Sequence, residues 1–292
     1  MVRAHQGRKQ RMRPAFTTVA CPEWTLEEVA KRAERWGYLG VELRTFGDDS
    51  TMLACDPALT SPAKVRQMFN RAGVEIMCLG TSLVFDAKPT WFARITGDAD
   101  RSVEMAKASI DLAVRLECPF VRVFGFEIHG GDTRATALFR MAQRLSLVCA
   151  YARNSGVRIV LENGGSLLTA TDLAELMDMV GNPLLGACYN ASVAYAAGEN
   201  AGDGANVLGD RLWVVKLKDY MQGRPCAAGQ GVMRCQETVA ELEAAGFDGW
   251  LVYEYPRLWF KDLPEAEPVL EASAKSMFSW IKRQPHPASL HV

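Results

Sequence analysis

The sequence predicts an α/β chain folded as a single (β/α)8 barrel of the TIM type, and three observations carry that expectation. Eight short runs of branched and aromatic residues alternate with stripes of helical spacing. The first run leads into Ala20-Cys-Pro-Glu-Trp, not into the glycine-rich phosphate loop that usually marks an open, doubly wound sheet. No linker or shift in composition divides the 292 residues, a length that accommodates one barrel of about 250 residues.

The runs are Phe16–Ala20, Leu39–Leu43, Val74–Leu79, Phe120–Phe124, Val157–Leu161, Leu184–Tyr189, Leu212–Leu217 and Trp250–Tyr253. None shows a long polar alternation, which suits parallel strands covered on both faces. After the first run, Thr25-Leu-Glu-Glu28 is a capping box: the Thr25 hydroxyl can accept from the Glu28 amide while the Glu28 carboxylate reaches back. Leu26, Val29, Ala30, Ala33 and Trp36 then recur at helical spacing until Gly37. Leu138, Met141, Ala142, Leu145, Val148, Cys149 and Ala152 form a second stripe that stops near Gly156. Leu173, Leu176, Met177 and Val180 form a third behind the cap Thr169.

Bulk properties narrow the partners. A net charge of −1 gives no electrostatic reason to expect nucleic acid or an anionic membrane. No apolar run approaches the roughly 20 residues of a membrane-spanning helix. The eight cysteines, at 21, 55, 78, 118, 149, 188, 226 and 235, form no CxxC pair, and several read as small core residues. With no secretory signal, the cytoplasm is the expected compartment. Residues 1–12 read as a basic tail, 13–284 as the barrel and 285–292 as a second tail, with Met12 the expected start of translation.

In such barrels the chemistry comes from the C-terminal ends of the strands. Those ends offer Glu42 and Arg44 from the second, Arg122 from the fourth with His129 in its loop, and Glu162 with Asn163 from the fifth. Asn190 ends the sixth, Lys216, Lys218 and Asp219 the seventh, and Glu254 the eighth. Lys216 and Lys218 share a side, because successive strand residues point opposite ways. Glu162 and Glu254 converge on one half of the mouth, an arrangement suited to removing and returning a proton at a carbon beside a carbonyl. Each residue also has a structural reading. Carboxylates at strand ends cap helices or pair with Arg44 and Arg122, His129 sits in an Ile-His-Gly-Gly-Asp turn, and Trp259 and Phe260 can pack under the last helix or wall a sugar site.

The segments Gly-Val-Glu-Leu-Arg (40–44), Pro-Phe-Val-Arg-Val-Phe-Gly (119–125), Val-Leu-Glu-Asn (160–163), Leu-Lys-Asp (217–219), Ala-Gly-Phe-Asp-Gly-Trp (245–250) and Tyr-Glu-Tyr (253–255), with the Gly229–Gly231 loop and Trp259, occur in an ordered series. Together they resemble the xylose-isomerase-like sugar phosphate isomerase/epimerase family over roughly residues 15–283. The resemblance implies a barrel with one divalent ion, Mn2+ or Mg2+, held by Glu, Asp, His and Glu, the two glutamates also acting as acid and base. Carried over by position, Glu162 and Glu254 match the glutamates, Asn190 stands at the aspartate and Lys216 at the histidine.

Asn190 can still offer a neutral oxygen to a hard cation, whereas a protonated lysine has no lone pair to give. Two glutamates, an aspartate and a neutral histidine sum to −3, or −1 with the ion. Two glutamates, Asn190 and Lys216 sum to −1 with no ion. The sequence therefore predicts that Lys216 replaces the metal and bridges Glu162 and Glu254; in the other branch one divalent ion is held by Glu162, Asn190 and Glu254. The expected function is acid/base proton transfer on a small keto-sugar or polyol derivative by Glu162 and Glu254, with Lys216 polarising the carbonyl. Glu42, Arg44, Arg122, His129, Asn163, Lys218 and Trp259 are the expected substrate contacts. The alternative is a non-catalytic barrel that binds a sugar-like ligand, and either form is compatible with a homo-oligomer. The related DNA-repair endonucleases need several metal-binding histidines, and His129 is the only one between residues 13 and 284.

Overall fold

Eight parallel strands close on themselves, because the first pairs with both the second and the last. They are β1 (Arg13–Thr17), β2 (Gly40–Phe46), β3 (Glu75–Val84), β4 (Phe120–Phe124), β5 (Arg158–Glu162), β6 (Leu185–Asn190), β7 (Leu212–Leu217) and β8 (Trp250–Tyr253). The computed structural model describes residues 12–46, 52–53, 61–88 and 101–282. Around the barrel run α1 (Leu26–Trp36), α2 (Pro62–Ala72), α3 (Arg101–Leu116), α4 (Arg134–Ala152), α5 (Ala170–Val180), α6 (Ala191–Ala196), α7 (Ala201–Leu208), α8 (Cys235–Ala244) and α9 (Ala266–Lys282). The single (β/α)8 barrel expected from the alternation is the observed fold.

The predicted first strand is displaced. Residues 13–17 form β1, whereas Thr18–Ala20 turn into a 3-10 helix whose cap is the Thr17 hydroxyl, accepting from the Val19 amide. A threonine that can bond the backbone two residues on ends a strand that hydrophobicity alone would continue. β3 errs the other way. The predicted run ends at Leu79, yet the strand continues to Val84 through an irregular register against β4. Met12, assigned to the tail, is buried in the core. The remaining tail positions and Cys55 lie outside the described residues.

Local signals hold where caps decide. The Thr25–Glu28 capping box is made in both directions, and Gly37 ends α1 in the left-handed region at φ 80°. Thr169 caps α5 in the same reciprocal way with Asp172. Apolar stripes of the helices pack on the outer faces of the strands in one continuous core. Among the described residues no helix is long and apolar enough to cross a membrane.

Inside the barrel lies a second core: Ala15, Met77, Cys78, Phe120, Val160, Cys188, Val214, Trp250 and Val252. One step of two residues along five of these strands changes the chemistry. Phe120 gives way to Arg122, Val160 to Glu162, Cys188 to Asn190, Val214 to Lys216 and Val252 to Glu254, all buried. Side chains two apart share a face, so these polar residues form the layer above the apolar plug, toward the mouth.

Candidate active site

Lys216 stands at the centre of that layer. It is fully buried, and its Nζ donates to Glu42 Oε1 at 3.0 Å and to Glu254 Oε2 at 2.9 Å. Glu162 Oε2 lies 3.2 Å away as an ion pair. Three carboxylates from β2, β5 and β8 thus surround one ammonium, which has three donors and no acceptor. Glu254 is bonded on its other side as well, its Oε1 being 2.7 Å from Lys218 Nζ. Arg122 Nε is 3.2 Å from Glu162 Oε2, although neither atom is aligned for a hydrogen bond, so the contact is an electrostatic one.

These contacts set the charges. Burial disfavours ionisation of Glu254, but the Lys216 and Lys218 ammoniums outweigh it and hold the carboxyl well below the usual carboxylate range. Glu42 is shifted the same way: burial opposes, and Lys216 with Arg122 prevails. Burial and Arg122 work against the Lys216 ammonium, yet Glu162, Glu254 and Glu42 together raise its pKa well above that of a free lysine. Lys218 is raised too, the attraction of Glu254 and Glu162 exceeding the effect of burial. A Schiff-base role for either lysine needs the opposite shift.

The partners of β2 explain how so many charges fit. Glu42 and Arg122 both press on Gly80, where an added Cβ would stand 2.8 Å from Glu42 Oε1 and 3.1 Å from the Arg122 guanidinium. Arg44, two residues beyond Glu42, donates to the Gly80 carbonyl at 2.7 Å and to the Ser82 hydroxyl. Burial, followed by the neighbouring Arg122, pushes its pKa down to about 10, which leaves it charged at neutral pH. Sequence reading stopped this strand at Leu79 and so missed Gly80 and Ser82. The polar Gly-Thr-Ser sequence before Leu83 was the available signal.

The other expected contacts divide. Trp259 is 54% exposed, with its ring centroid 5.9 Å from the Arg44 guanidinium, and Phe260 is 53% exposed, which corrects the packing alternative for both. Asn163 is spent on backbone: it donates to Leu168 O and Asn190 O and accepts from the Asn190 amide, bracing β5 against β6. His129 meets Asp86 at 3.4 Å, in the loops after β3 and β4, rather than the carboxylate cluster. Asp219 accepts the amides of Tyr220, Gly229, Gly231 and Met233, so it shapes the Gly229–Gly231 loop.

The residues do not fit the divalent ion that the resemblance implies. The point where three carboxylates meet is filled by the Lys216 ammonium. The Asn190 Oδ1 faces the Val193 amide as the cap of α6, while its Nδ2 donates to Glu162 Oε1 at 2.9 Å. Exchanging the two ends would set oxygen against carboxylate and amine against amide, so the side chain presents a donor to the site. Among the described residues no cluster of three or more His, Cys, Asp and Glu is arranged to hold a metal.

The curated protein fructoselysine 3-epimerase of Shigella flexneri is 22% identical over 170 residues, 55% of this chain and 61% of that protein. The chain thus spans 61% of the length of the curated relatives it matches. Among solved structures, D-allulose 3-epimerase from Methylomonas sp. superimposes with a TM-score of 0.73 at 14% identity, over 93% of this chain and 98% of the other. The probable 3-DHS dehydratase AsbF of Bacillus anthracis gives 0.72 at 14% identity, over 91% of this chain and 99% of the other. Identities this low establish a shared fold. The profile of one family, however, matches residues 30–283, most of the sequence: the chain belongs to the xylose isomerase-like TIM barrels.

Proposed function

We propose that the chain is an isomerase- or epimerase-type enzyme that moves a proton at the carbon beside the carbonyl of a small keto-sugar or polyol derivative. The observation that carries this reading is the pair Glu162 and Glu254 held on either side of an ammonium at the barrel mouth. The two carboxylates are unequal. Both oxygens of Glu254 are engaged by lysines, whereas Glu162 keeps Oε2 free of hydrogen bonds. Glu162 is therefore assigned proton removal and Glu254 the role of a fixed anion that positions Lys218.

As the C–H bond breaks, the proton passes to Glu162, the electron pair of the bond forms the enediolate and the carbonyl oxygen gains negative charge. Return of the proton from Glu162 to carbon completes the isomerisation. A cation near that oxygen stabilises it. Lys216 donates to two carboxylates and is ion-paired with a third, so Lys218, one-fifth exposed and with a single ion-pair partner among the described residues, is the better electrophile. No step calls on a metal. The seven described cysteines are unpaired and six are buried, which supports a cytoplasmic setting.

The test is incubation with D-allulose, D-fructose and D-tagatose in deuterated water. Deuterium should enter next to the carbonyl, and Glu162→Gln should reduce its uptake by about 100-fold or more. Uptake unchanged in that variant would remove Glu162 from the chemistry. A second reading, ligand binding without turnover, is favoured by the closure of the cluster, with Lys216 fully buried and Glu254 only 5% exposed. Thermal stabilisation by a ketose with no label uptake would select it.

A further inference from the structure

The three carboxylates around Lys216 form a cage with its own charge requirement. Glu42, Glu162 and Glu254 contribute −3, and the cations within 4 Å of them among the described residues are Arg122, Lys218 and Lys216. Arg44, which attracts all three from farther away, is bonded to the Gly80 carbonyl and Ser82. The cluster sums to zero with Lys216 ionised. Without the Lys216 charge it sums to −1, a deficit that one monovalent cation closes and a divalent ion would overshoot to +1. The donor geometry agrees. The carboxylate oxygens lie 2.9 to 3.2 Å from Nζ, the range of N–H···O contacts, whereas Mg2+ demands oxygens at about 2.0–2.1 Å. Glu42, from β2, supplies the third arm, which the strands 5 to 8 of the expected ligand set do not include.

We propose that these carboxylates form a latent site for one small monovalent ammonium ion, filled by the side chain of Lys216 acting as a tethered counter-ion. Cutting that side chain back opens the site to a free ammonium, not to a divalent metal. The proposal concerns the cation of the proposed active site and rests on that reading for its role in chemistry. It is tested without a sugar, so failure of turnover and failure of the cage are separate results.

The experiment uses the full chain with Lys216→Ala, which leaves space for an alkylammonium. Methylammonium chloride should raise the melting temperature of this variant in a concentration-dependent manner and leave the wild type unmoved. Tetramethylammonium chloride, equal in charge but without N–H donors, and MnCl2 should not reproduce the rise. If the variant folds poorly, refolding yield in the same salts is the readout, and recovery with methylammonium alone supports the site. An equal response to tetramethylammonium, a larger response to Mn2+, or no response to any of them overturns it. On the wild type, titration with Mn2+ followed by electron paramagnetic resonance should show the free-ion signal throughout. Stoichiometric loss of that signal would show that the lysine yields to a metal, and would also overturn the proposal.

Discussion

The two halves of the barrel interior are built on the same strands and obey opposite rules. Toward the N-terminal ends, Phe120, Val160, Cys188, Val214, Trp250 and Val252 make a dry plug, held by area and shape. One step of two residues toward the C-terminal ends, Arg122, Glu162, Asn190, Lys216 and Glu254 make a layer equally hidden from water but held by charge. Apolar packing tolerates substitutions that keep volume. A buried charge layer tolerates very few, because removing one member strands the others. The contrast shows that the same strands can be held by packing in one layer and by charge in the next.

The largest effect should come from breaking the charged layer at its centre. Lys216→Met keeps most of the volume but leaves three carboxylates without their shared ammonium, and should cost about 3–5 kcal/mol in urea unfolding. The loss should shrink in acid, where the orphaned carboxylates can take up protons. A loss that is the same at acid and neutral pH would show that packing, not charge, holds this layer.

The apolar layer should respond differently. Trp250 is 1% exposed, and Trp250→Ala should cost about 3–5 kcal/mol by leaving a cavity. That cost should be independent of pH, since its neighbours in the plug do not titrate in the neutral range. The seam between the layers can be probed with Gly80→Ala, whose new methyl meets Glu42 and Arg122. A cost of about 1–3 kcal/mol is expected from overpacking, and no cost would mean that β3 can move away.

The smallest effect under ordinary conditions is that of pH on the intact protein, and its sign follows from the shifts. Glu42 and Glu254 are held below the ordinary carboxylate value of 4.5, so their stabilisation is complete above it and is lost as pH falls through their folded values. Lys216 and Lys218 are held above 10.5, so theirs is complete below that value and is lost as pH rises beyond it. The mouth should therefore contribute a plateau of stability between those limits, and Lys216→Met should flatten both flanks. Melting temperature across pH checks this directly; a neutral-range slope in the wild type would contradict the assignment.

Much of this was legible because it is local or periodic. Thr25, Glu28, Gly37 and Thr169 act within a few residues of themselves, so their caps could be read from spacing. Glu162, Lys216 and Glu254 could be placed at strand ends because side chains in a strand alternate with a fixed period. The end of β1 was misread because the Thr17 hydroxyl, not hydropathy, stops it. The cap that Asn190 supplies was not foreseen, because its oxygen is claimed by a helix that begins one residue later.

By itself, then, the sequence determined the barrel and the side of it that carries polar residues, with Asn190 and Lys216 at the ends of neighbouring strands. Only the tertiary structure decided that Lys216 has three carboxylate partners rather than two. Glu42 lies 174 positions from Lys216 in the chain, and no periodicity relates them. Closure of β1 against β8 brings the two ends of the sheet together and places β2 across the barrel from β7. Coulomb attraction in a buried layer acts through space, so the identity of the third partner is a property of the closed barrel.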